Sequence, residues 1–388
     1  AGSRMSGKEH NDVFEEKDPV RIAFSEKPAA VIQVEEPDRV KKMLSDFGVE
    51  VAELGKLNRE RTLNIHSGSK SYAFPVNELR DVWFKSSYLL DISQSGSFKA
   101  WERYENYKRQ PRNFVFPSGF RGRLSQFGLK PGNRESSGLR AAIIREKGVN
   151  GDREMAHSLY LAGFDVKDVH MTDLISGEED LSDVNFITFV GGFSNSDVLG
   201  SAKGWAGAFL YNEKAKIALD NFYKRDDTLS LGVCNGCQLM LELGLVNPNH
   251  KEKPAMMPNE TEKFESSFVL VDIPENNSVM FRTLGNTQLG VWVAHGEGRF
   301  KFPYEEAKYN IVSKYTYSQY PGNPNGSDYN TAALVSDDGR HLAIMPHIER
   351  SVFPWQWPHY PRERRQDELS PWIEAFVNAR EWVKKSLR

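Results

Sequence analysis

From Leu139 onward the chain alternates short apolar runs with amphipathic ones, and no other feature narrows the possible folds as much. Ala141-Ala-Ile-Ile144 reads as a buried strand, Asp152 to Ala162 as a helix, Phe164 to His170 as a strand, and Phe186 to Val190 as a strand ending in Gly191-Gly192. A helix is expected from about Trp205 to Arg225, then a strand over Leu229–Val233 and a helix over Gln238–Leu243. Strand–helix alternation of this kind demands a parallel sheet covered on both faces, so the region is expected to be α/β. From Ser266 the strands crowd together: Phe268–Val271, Val291–Ala294, and a hairpin of Ala332–Val335 with Leu342–Met345 around Asp338-Gly339. Ser370 as N-cap and Pro371 at the first helical position open a closing helix.

The first part of the chain has a different texture. Ala30–Val34, Glu36–Phe47 and Val49–Leu54 read as strand, helix and strand, with Gly48 as the helix stop. Thr62–His66 and Ser71–Phe74 add a hairpin, making a small α+β piece. Asn77 to Gln110 turns helical, and Pro111 to Gly138 reads as a linker rich in Gly, Pro, Ser and Arg. The expected organisation is therefore a tag and disordered start over 1–17, the α+β piece over 18–76, a helical segment and linker over 77–138, and the α/β domain over 139–388. Ala1-Gly-Ser-Arg4 ahead of Met5 looks like a cloning remnant.

Charge and cysteine usage exclude several classes. Lys plus Arg number 50 against 53 Asp plus Glu, a net charge of −3, which argues against a nucleic-acid or membrane-surface partner. The linker rings Phe114, Phe116 and Phe120 among Arg112, Arg121 and Arg123 are read as packing on neighbouring domains, in preference to a base-stacking surface. No apolar run approaches the roughly 18 residues of a membrane span. With only 2 cysteines in 388 residues there is no disulfide framework, so a reducing, cytoplasmic setting is expected.

Both cysteines lie in Leu231-Gly-Val-Cys-Asn-Gly-Cys-Gln-Leu239. A C-x-x-C supplies two of zinc's four ligands, and no second pair or H-x(3–5)-H stands nearby to complete the set. A redox pair remains conceivable, although such motifs usually follow the first strand or two. The glycines favour a third reading: Gly232-Val-Cys234-Asn-Gly236 is G-x-C-x-G, a nucleophile elbow with cysteine in place of serine. A tight strand-to-helix bend needs small flanking residues and lifts the central side chain over the sheet edge, so Cys234 is expected to be the exposed thiol. The helix start then offers N–H groups that favour a thiolate and can hold an oxyanion. Cys237, a turn further on, is expected to be a small buried hydrophobe.

A cysteine nucleophile needs a base, and the base an orienting acceptor. Two H-x-E stretches compete: His295-Gly-Glu297 after one strand and His347-Ile-Glu349 after another, each able to place Glu beside His if the backbone is extended. Pro346 stiffens the second pair, which favours it, while Gly296 and Gly298 suggest a backbone that approaches a ligand. Gly192 is the candidate for the second oxyanion donor.

Together these residues resemble the class I, triad-type glutamine amidotransferases, with their Gly-Gly loop, G-x-C-x-G-x-Q elbow and late P-H-x-E. Gly148-Val-Asn-Gly-Asp-Arg-Glu-Met155, Gly191-Gly-Phe-Ser194, Gly232–Gln238, Ala294-His-Gly-Glu-Gly-Arg-Phe300 and Met345-Pro-His-Ile-Glu-Arg350 resemble, more closely, the C-terminal glutaminase domain of the large formylglycinamide ribonucleotide amidotransferases. The resemblance implies a flavodoxin-like α/β fold with a mostly parallel sheet and flanking helices. It implies Cys234 as the nucleophile that forms a γ-glutamyl thioester, His347 as base and Glu349 as its orienting carboxylate. Gly192, Asn235 and Gln238 would bind glutamine or its oxyanion, and His295 and Glu297 would line the pocket or its junction with a synthetase. Ile348 departs from the family's usual proline. The resemblance also implies that 18–76 is the end of a synthetase-like domain, that this fragment needs no cofactor, and that ATP and Mg²⁺ act in synthetase parts lying elsewhere. A cysteine-dependent α/β-hydrolase orders its triad nucleophile, acid, histidine, which does not fit a Glu349 that follows His347. A docking module with an inert thiol is the non-enzymatic alternative.

Overall fold

The computed structural model describes residues 2–5, 21, 24, 29–67, 69–132 and 134–387. Apart from Gly2–Met5, the start expected to be disordered lies outside the described residues. The chain divides into two compact units, Ala1–Leu90 and Asp91–Arg388.

The first unit holds a four-stranded sheet in the order β2-β1-β3-β4, with β1 at Gly2–Met5, β2 at Lys56–Asn58, β3 at Thr62–Ser67 and β4 at Lys70–Pro75. β3 and β4 form the expected antiparallel hairpin, paired from Thr62↔Pro75 to Ser67↔Lys70. Helix α1 spans Pro37–Asp46 and ends where Gly48 turns left-handed at φ 71°. The two strands expected to flank it do not form. Val31 and Ile32 stay exposed, and among the described residues no strand pairs with this run.

Helix α2 spans Val76–Asn106, with Gly96 at φ 75°, ψ 161° interrupting its regular backbone. After it, the expected linker lies down as part of the second unit. Phe116 packs against Trp357 and Tyr360, and Phe120 joins Leu129, Leu161, Leu369 and Ile373 in a small core of its own. The Arg364 guanidinium sits over the Phe116 and Phe120 rings at 5.0 and 5.2 Å.

The second unit is built on a nine-stranded sheet in the order β11-β10-β13-β14-β15-β8-β7-β5-β6. One half is parallel: β6 (Asp165–His170), β5 (Arg140–Arg145), β7 (Phe186–Phe189), β8 (Leu229–Val233) and β15 (His341–Ile344). The other half is antiparallel and extends the sheet through β14 (Thr331–Val335), β13 (Asn310–Tyr315), β10 (Glu265–Ile273) and β11 (Thr287–His295). The α/β architecture is the expected one, enlarged by this antiparallel wing. Helices α3 (Asp152–Ala162), α4 (Met171–Ser176), α5 (Lys203–Leu210), α6 (Glu213–Lys224), α7 (Asn235–Glu242) and α8 (Ile373–Ser386) complete the unit, with a small pair, β9 (Ala255–Met257) and β12 (Arg299–Lys301).

Two helix boundaries differ from expectation for local reasons. The single helix expected from Trp205 to Arg225 is broken because Asn212 accepts the Ala215 N–H and starts α6 afresh. Ser370 does accept the Trp372 N–H, but the chain makes tighter i→i+3 bonds before α8 begins at Ile373.

Sheet order positions the site. β8 lies between β7 and β15, so the chain ends leaving all three strands emerge side by side at one sheet edge. The Phe189 ring meets Trp205 and Phe209 edge-on at 5.9 and 6.1 Å, contacts each worth about 0.5–1.5 kcal/mol that fix the end of β7.

Candidate active site

Cys234 stands at the junction of β8 and α7 with φ 52° and ψ −104°, a conformation that a side-chain-bearing residue adopts only when its surroundings impose it. The surroundings do so. Cys234 N donates to the Ile344 carbonyl of β15 at 2.9 Å, and its own carbonyl accepts the first helical bond from Gln238 N at 3.0 Å. A Cβ on Gly236 would stand 2.0 Å from the Phe189 carbonyl oxygen, and one on Gly232 would stand 2.5 Å from the Gly236 oxygen. The helix therefore starts in contact with the strand ends, and only glycines permit it.

The bend does not leave its thiol open to solvent as expected: Cys234 is 5% exposed. Its sulfur donates to the Ala294 carbonyl of β11 at 3.6 Å, so the antiparallel wing covers what the elbow alone would present. The same sulfur lies near enough to the His347 imidazole to favour its charged form. A Cβ on Gly191 would meet His347 Cε1 at 2.8 Å and Cys234 Cβ at 3.4 Å, so the loop after β7 closes over both. Cys237 is fully buried, and burial pushes its thiol well above the usual range.

His347 leaves β15 with its N–H donating to the Trp292 carbonyl at 2.8 Å. Its Nδ1 is 2.6 Å from Glu349 Oε1, and the residues are 2% and 1% exposed. Strand alternation is not what brings them together. Ile348–Arg350 form a 3₁₀ turn that folds the carboxylate back onto the ring, and Ile348 is fully buried at its head. Burial opposes a charge on this imidazole, but the Glu349 carboxylate and then the Cys234 thiol outweigh it and raise the pKa to about 10. The ring can therefore keep the thiol's proton and hand it to a departing amine.

His295 has a different setting. Its Nδ1 lies 3.1 Å from Asn259 Oδ1, and its Nε2 lies 3.5 Å from Asn325 Nδ2. Asn259 Oδ1 also accepts from Gly298 N, so His295 Nδ1–H is the donor; the two Asn325 hydrogens also serve the Gly298 carbonyl at 2.7 Å and the Tyr315 hydroxyl at 3.2 Å, which leaves Nε2 the longest of their contacts. Burial, and secondarily the His347 charge, hold its pKa down to about 3. The structure brings His347 to the thiol and commits His295 Nδ1 to Asn259.

The other expected residues form one wall. Asn235 Oδ1 accepts from Ser194 N at 3.0 Å, Asn235 Nδ2 donates to Gln238 Oε1 at 2.9 Å, and Gln238 Nε2 donates to the Glu297 carbonyl at 2.7 Å. The Glu297 carboxylate accepts from Ser201 N at 3.3 Å. Asn235 and Gly236 open α7, so their N–H groups have no acceptor within the helix and suit a developing oxyanion. Gly192, at φ 146°, sits against Val149, where a Cβ would stand 2.4 Å from the Val149 Cα. A cavity of about 380 Å³ reaches His347, lined also by Ser266, Trp292, Ala294, Arg350 and Trp355. Cys234, Gly192, Asn235, Gln238 and Glu297 are not among the residues that line it.

Sequence reasoning missed Asn259 and Asn325. Each follows a proline, Pro258 and Pro324, a turn signal that marks the loop without revealing what the amide holds. Among the described residues, no group of three or more His, Cys, Asp and Glu side chains is placed to hold a metal ion, and no helix is long and apolar enough to cross a membrane.

Comparison with known proteins bears on this geometry. The chain is 38% identical over 399 residues to human phosphoribosylformylglycinamidine synthase, covering 94% of this chain and 29% of that protein. It is 36% identical over 388 residues to the probable chloroplastic/mitochondrial phosphoribosylformylglycinamidine synthase of Arabidopsis thaliana, covering 93% and 27% respectively. The chain thus spans less than a third of the length of these relatives. Among solved structures, PurLQS from Thermotoga maritima shares the fold with a TM-score of 0.50 at 24% identity, over 64% of this chain and 99% of that one. The model of the CobB/CobQ-like glutamine amidotransferase domain matches residues 138–383, which takes in the elbow, the Gly-Gly loop and both histidine–glutamate pairs. By that match across most of its length, the chain belongs to the CobB/CobQ-like glutamine amidotransferase domain family.

Proposed function

We propose that the second unit hydrolyses glutamine as the glutaminase portion of a phosphoribosylformylglycinamidine synthase. The observation that carries this reading is a strained elbow thiol beside an imidazole that a buried carboxylate orients at 2.6 Å. Cys234 Sγ attacks the γ-carboxamide carbon, and the oxyanion that forms lies toward the N–H groups of Gly192 and Asn235. His347 gives its proton to the nitrogen as the C–N bond breaks, releasing ammonia and leaving a γ-glutamyl thioester. His347 then takes a proton from water, whose attack on the thioester yields glutamate and the free thiol. Glu349 holds the ring in register throughout. Asn235, Gln238 and Glu297 form the wall against which glutamine binds.

The ammonia serves synthetase parts of the same enzyme, which use ATP and Mg²⁺ to amidate formylglycinamide ribonucleotide in purine biosynthesis. Relatives more than three times as long as this chain support that division of labour. Two free cysteines fit a cytoplasmic setting. The test is glutamate release from glutamine, together with a diazoketone glutamine analogue that labels Cys234 and fails to label Cys234→Ser. Ester hydrolysis without glutamate release would favour the α/β-hydrolase reading, and an unlabelled thiol the docking module.

A further inference from the structure

The proposed mechanism uses His347 and leaves a second buried histidine unexplained. His295 is 2% exposed, lies beside the same site, and ends β11, the strand whose Ala294 carbonyl covers the thiol. It was expected to line the pocket or its junction with a synthetase, and its Nδ1 is held by Asn259 at 3.1 Å.

Asn259 is the centre of this arrangement. It is 1% exposed, and its amide is fully used. Oδ1 accepts from His295 Nδ1 at 3.1 Å and from Gly298 N at 3.0 Å, while Nδ2 donates to the His295 carbonyl at 2.8 Å and the Lys263 carbonyl at 3.0 Å. One side chain thus grips both ends of the 295–298 turn. Asn325 closes it from the far side, donating to the Gly298 carbonyl at 2.7 Å. The fit admits nothing larger, since a Cβ on Gly298 would stand 2.4 Å from His295 Nδ1. At the tip of the turn, Glu297 offers its carbonyl to Gln238, four residues after Cys234.

We infer that Asn259 is a positioning residue for glutamine binding: through the His295 ring and the Gly298 amide it fixes the Glu297 carbonyl against Gln238. The inference rests on the glutaminase reading above. The loop that carries Asn259 is itself anchored on α2. Lys263 is ion-paired with the buried Asp91, and Lys99 reaches Glu260 at 2.9 Å. A lesion anywhere along this line loosens the wall that receives glutamine and leaves Cys234, His347 and Glu349 in place, so substrate binding suffers before chemistry does.

The experiment is steady-state glutamine hydrolysis by the whole chain, with iodoacetamide alkylation of Cys234 and thermal melts in parallel, for the wild type, Asn259→Ala, Gly298→Ala and Asp91→Asn. In Asn259→Ala and Gly298→Ala, KM for glutamine should rise about tenfold or more while kcat stays within about threefold. Asp91→Asn should shift KM the same way by about three- to fivefold. Alkylation of Cys234, which needs no glutamine wall, should keep its wild-type rate in all three. KM within about twofold of wild type in folded variants overturns the inference, as does a fall in kcat at unchanged KM. If Asn259→Ala does not melt cooperatively, Gly298→Ala and Asp91→Asn decide, because they leave the amide in place. A wild type that neither releases glutamate nor takes the diazoketone label overturns the glutaminase reading itself, a result distinct from active enzyme with insensitive KM.

Discussion

The two histidine–glutamate pairs carry the same three-residue pattern at the ends of two strands of one sheet, and the fold puts them to opposite uses. Glu349 turns back to its histidine at 2.6 Å, whereas Glu297 turns away and accepts from Ser201. His347 is pushed toward the charged form and His295 toward the neutral one, although both are buried. Burial is therefore not what distinguishes them. The difference is the partner: at His347 a carboxylate and the Cys234 sulfur outweigh burial, while at His295 uncharged asparagines leave burial and the His347 charge in control. A histidine's role follows from the second contact its ring makes.

The sharpest way to break this contrast is to remove each ring. His347→Asn should lower glutamine hydrolysis by about 10³-fold or more, mostly in kcat, while His295→Asn should raise KM by about tenfold with kcat little changed. Equal losses of kcat would mean that both histidines take part in proton transfer. Removing each carboxylate's charge comes next. Glu349→Gln should cost roughly 10²- to 10⁴-fold in kcat, and Glu297→Gln, which keeps the backbone carbonyl used by Gln238, less than about tenfold in kcat/KM.

Opposite titration gives a third comparison. The folded pKa of His347, about 10, lies above the unfolded value of about 6.5, so its contribution is complete below pH 6.5 and is lost as pH rises toward 10. His295 is held near 3, so stability present above pH 6.5 is lost as pH falls toward 3, where the unfolded chain takes up a proton that the folded one refuses. Melting midpoints measured across pH should show a shallower alkaline decline in Glu349→Gln and a shallower acid decline in His295→Gln; unchanged slopes would remove the assignment. The smallest expected effect is a control. Gly296→Ala has no atom within 4 Å of the added Cβ and should move stability by no more than about 0.5 kcal/mol, against about 2 kcal/mol or more for Gly298→Ala.

The parallel half of the sheet was readable because wholly apolar strands and glycine stops are local signals: β5, β7 and β8 fall where the runs at Ala141, Phe186 and Leu229 place them. So was the elbow, since the need for small residues at Gly232 and Gly236 is a property of the bend itself. The covering of Cys234 was not readable, because the Ala294 carbonyl belongs to a strand 60 residues away in sequence, at the opposite end of the sheet order from β6. The 3₁₀ turn at Ile348 was hidden for another reason: a strand and a tight turn can both bring i and i+2 together, and three residues do not say which. Asn259 and Asn325 left no trace beyond a turn-forming proline, since an asparagine's partners are set entirely by tertiary packing. The flanking strands expected around α1 failed the other way, with local apolar character but no strand pairing among the described residues.

The order of strands at the sheet edge has a further meaning for how such a chain is made. The sulfur is laid down with β8, but its imidazole comes with β15, more than a hundred residues later. A nascent chain therefore exposes a thiol with no base, and hydrolytic competence arrives only with the last parallel strand. On the proposed assignment, a half-synthesised or half-degraded copy cannot squander cellular glutamine.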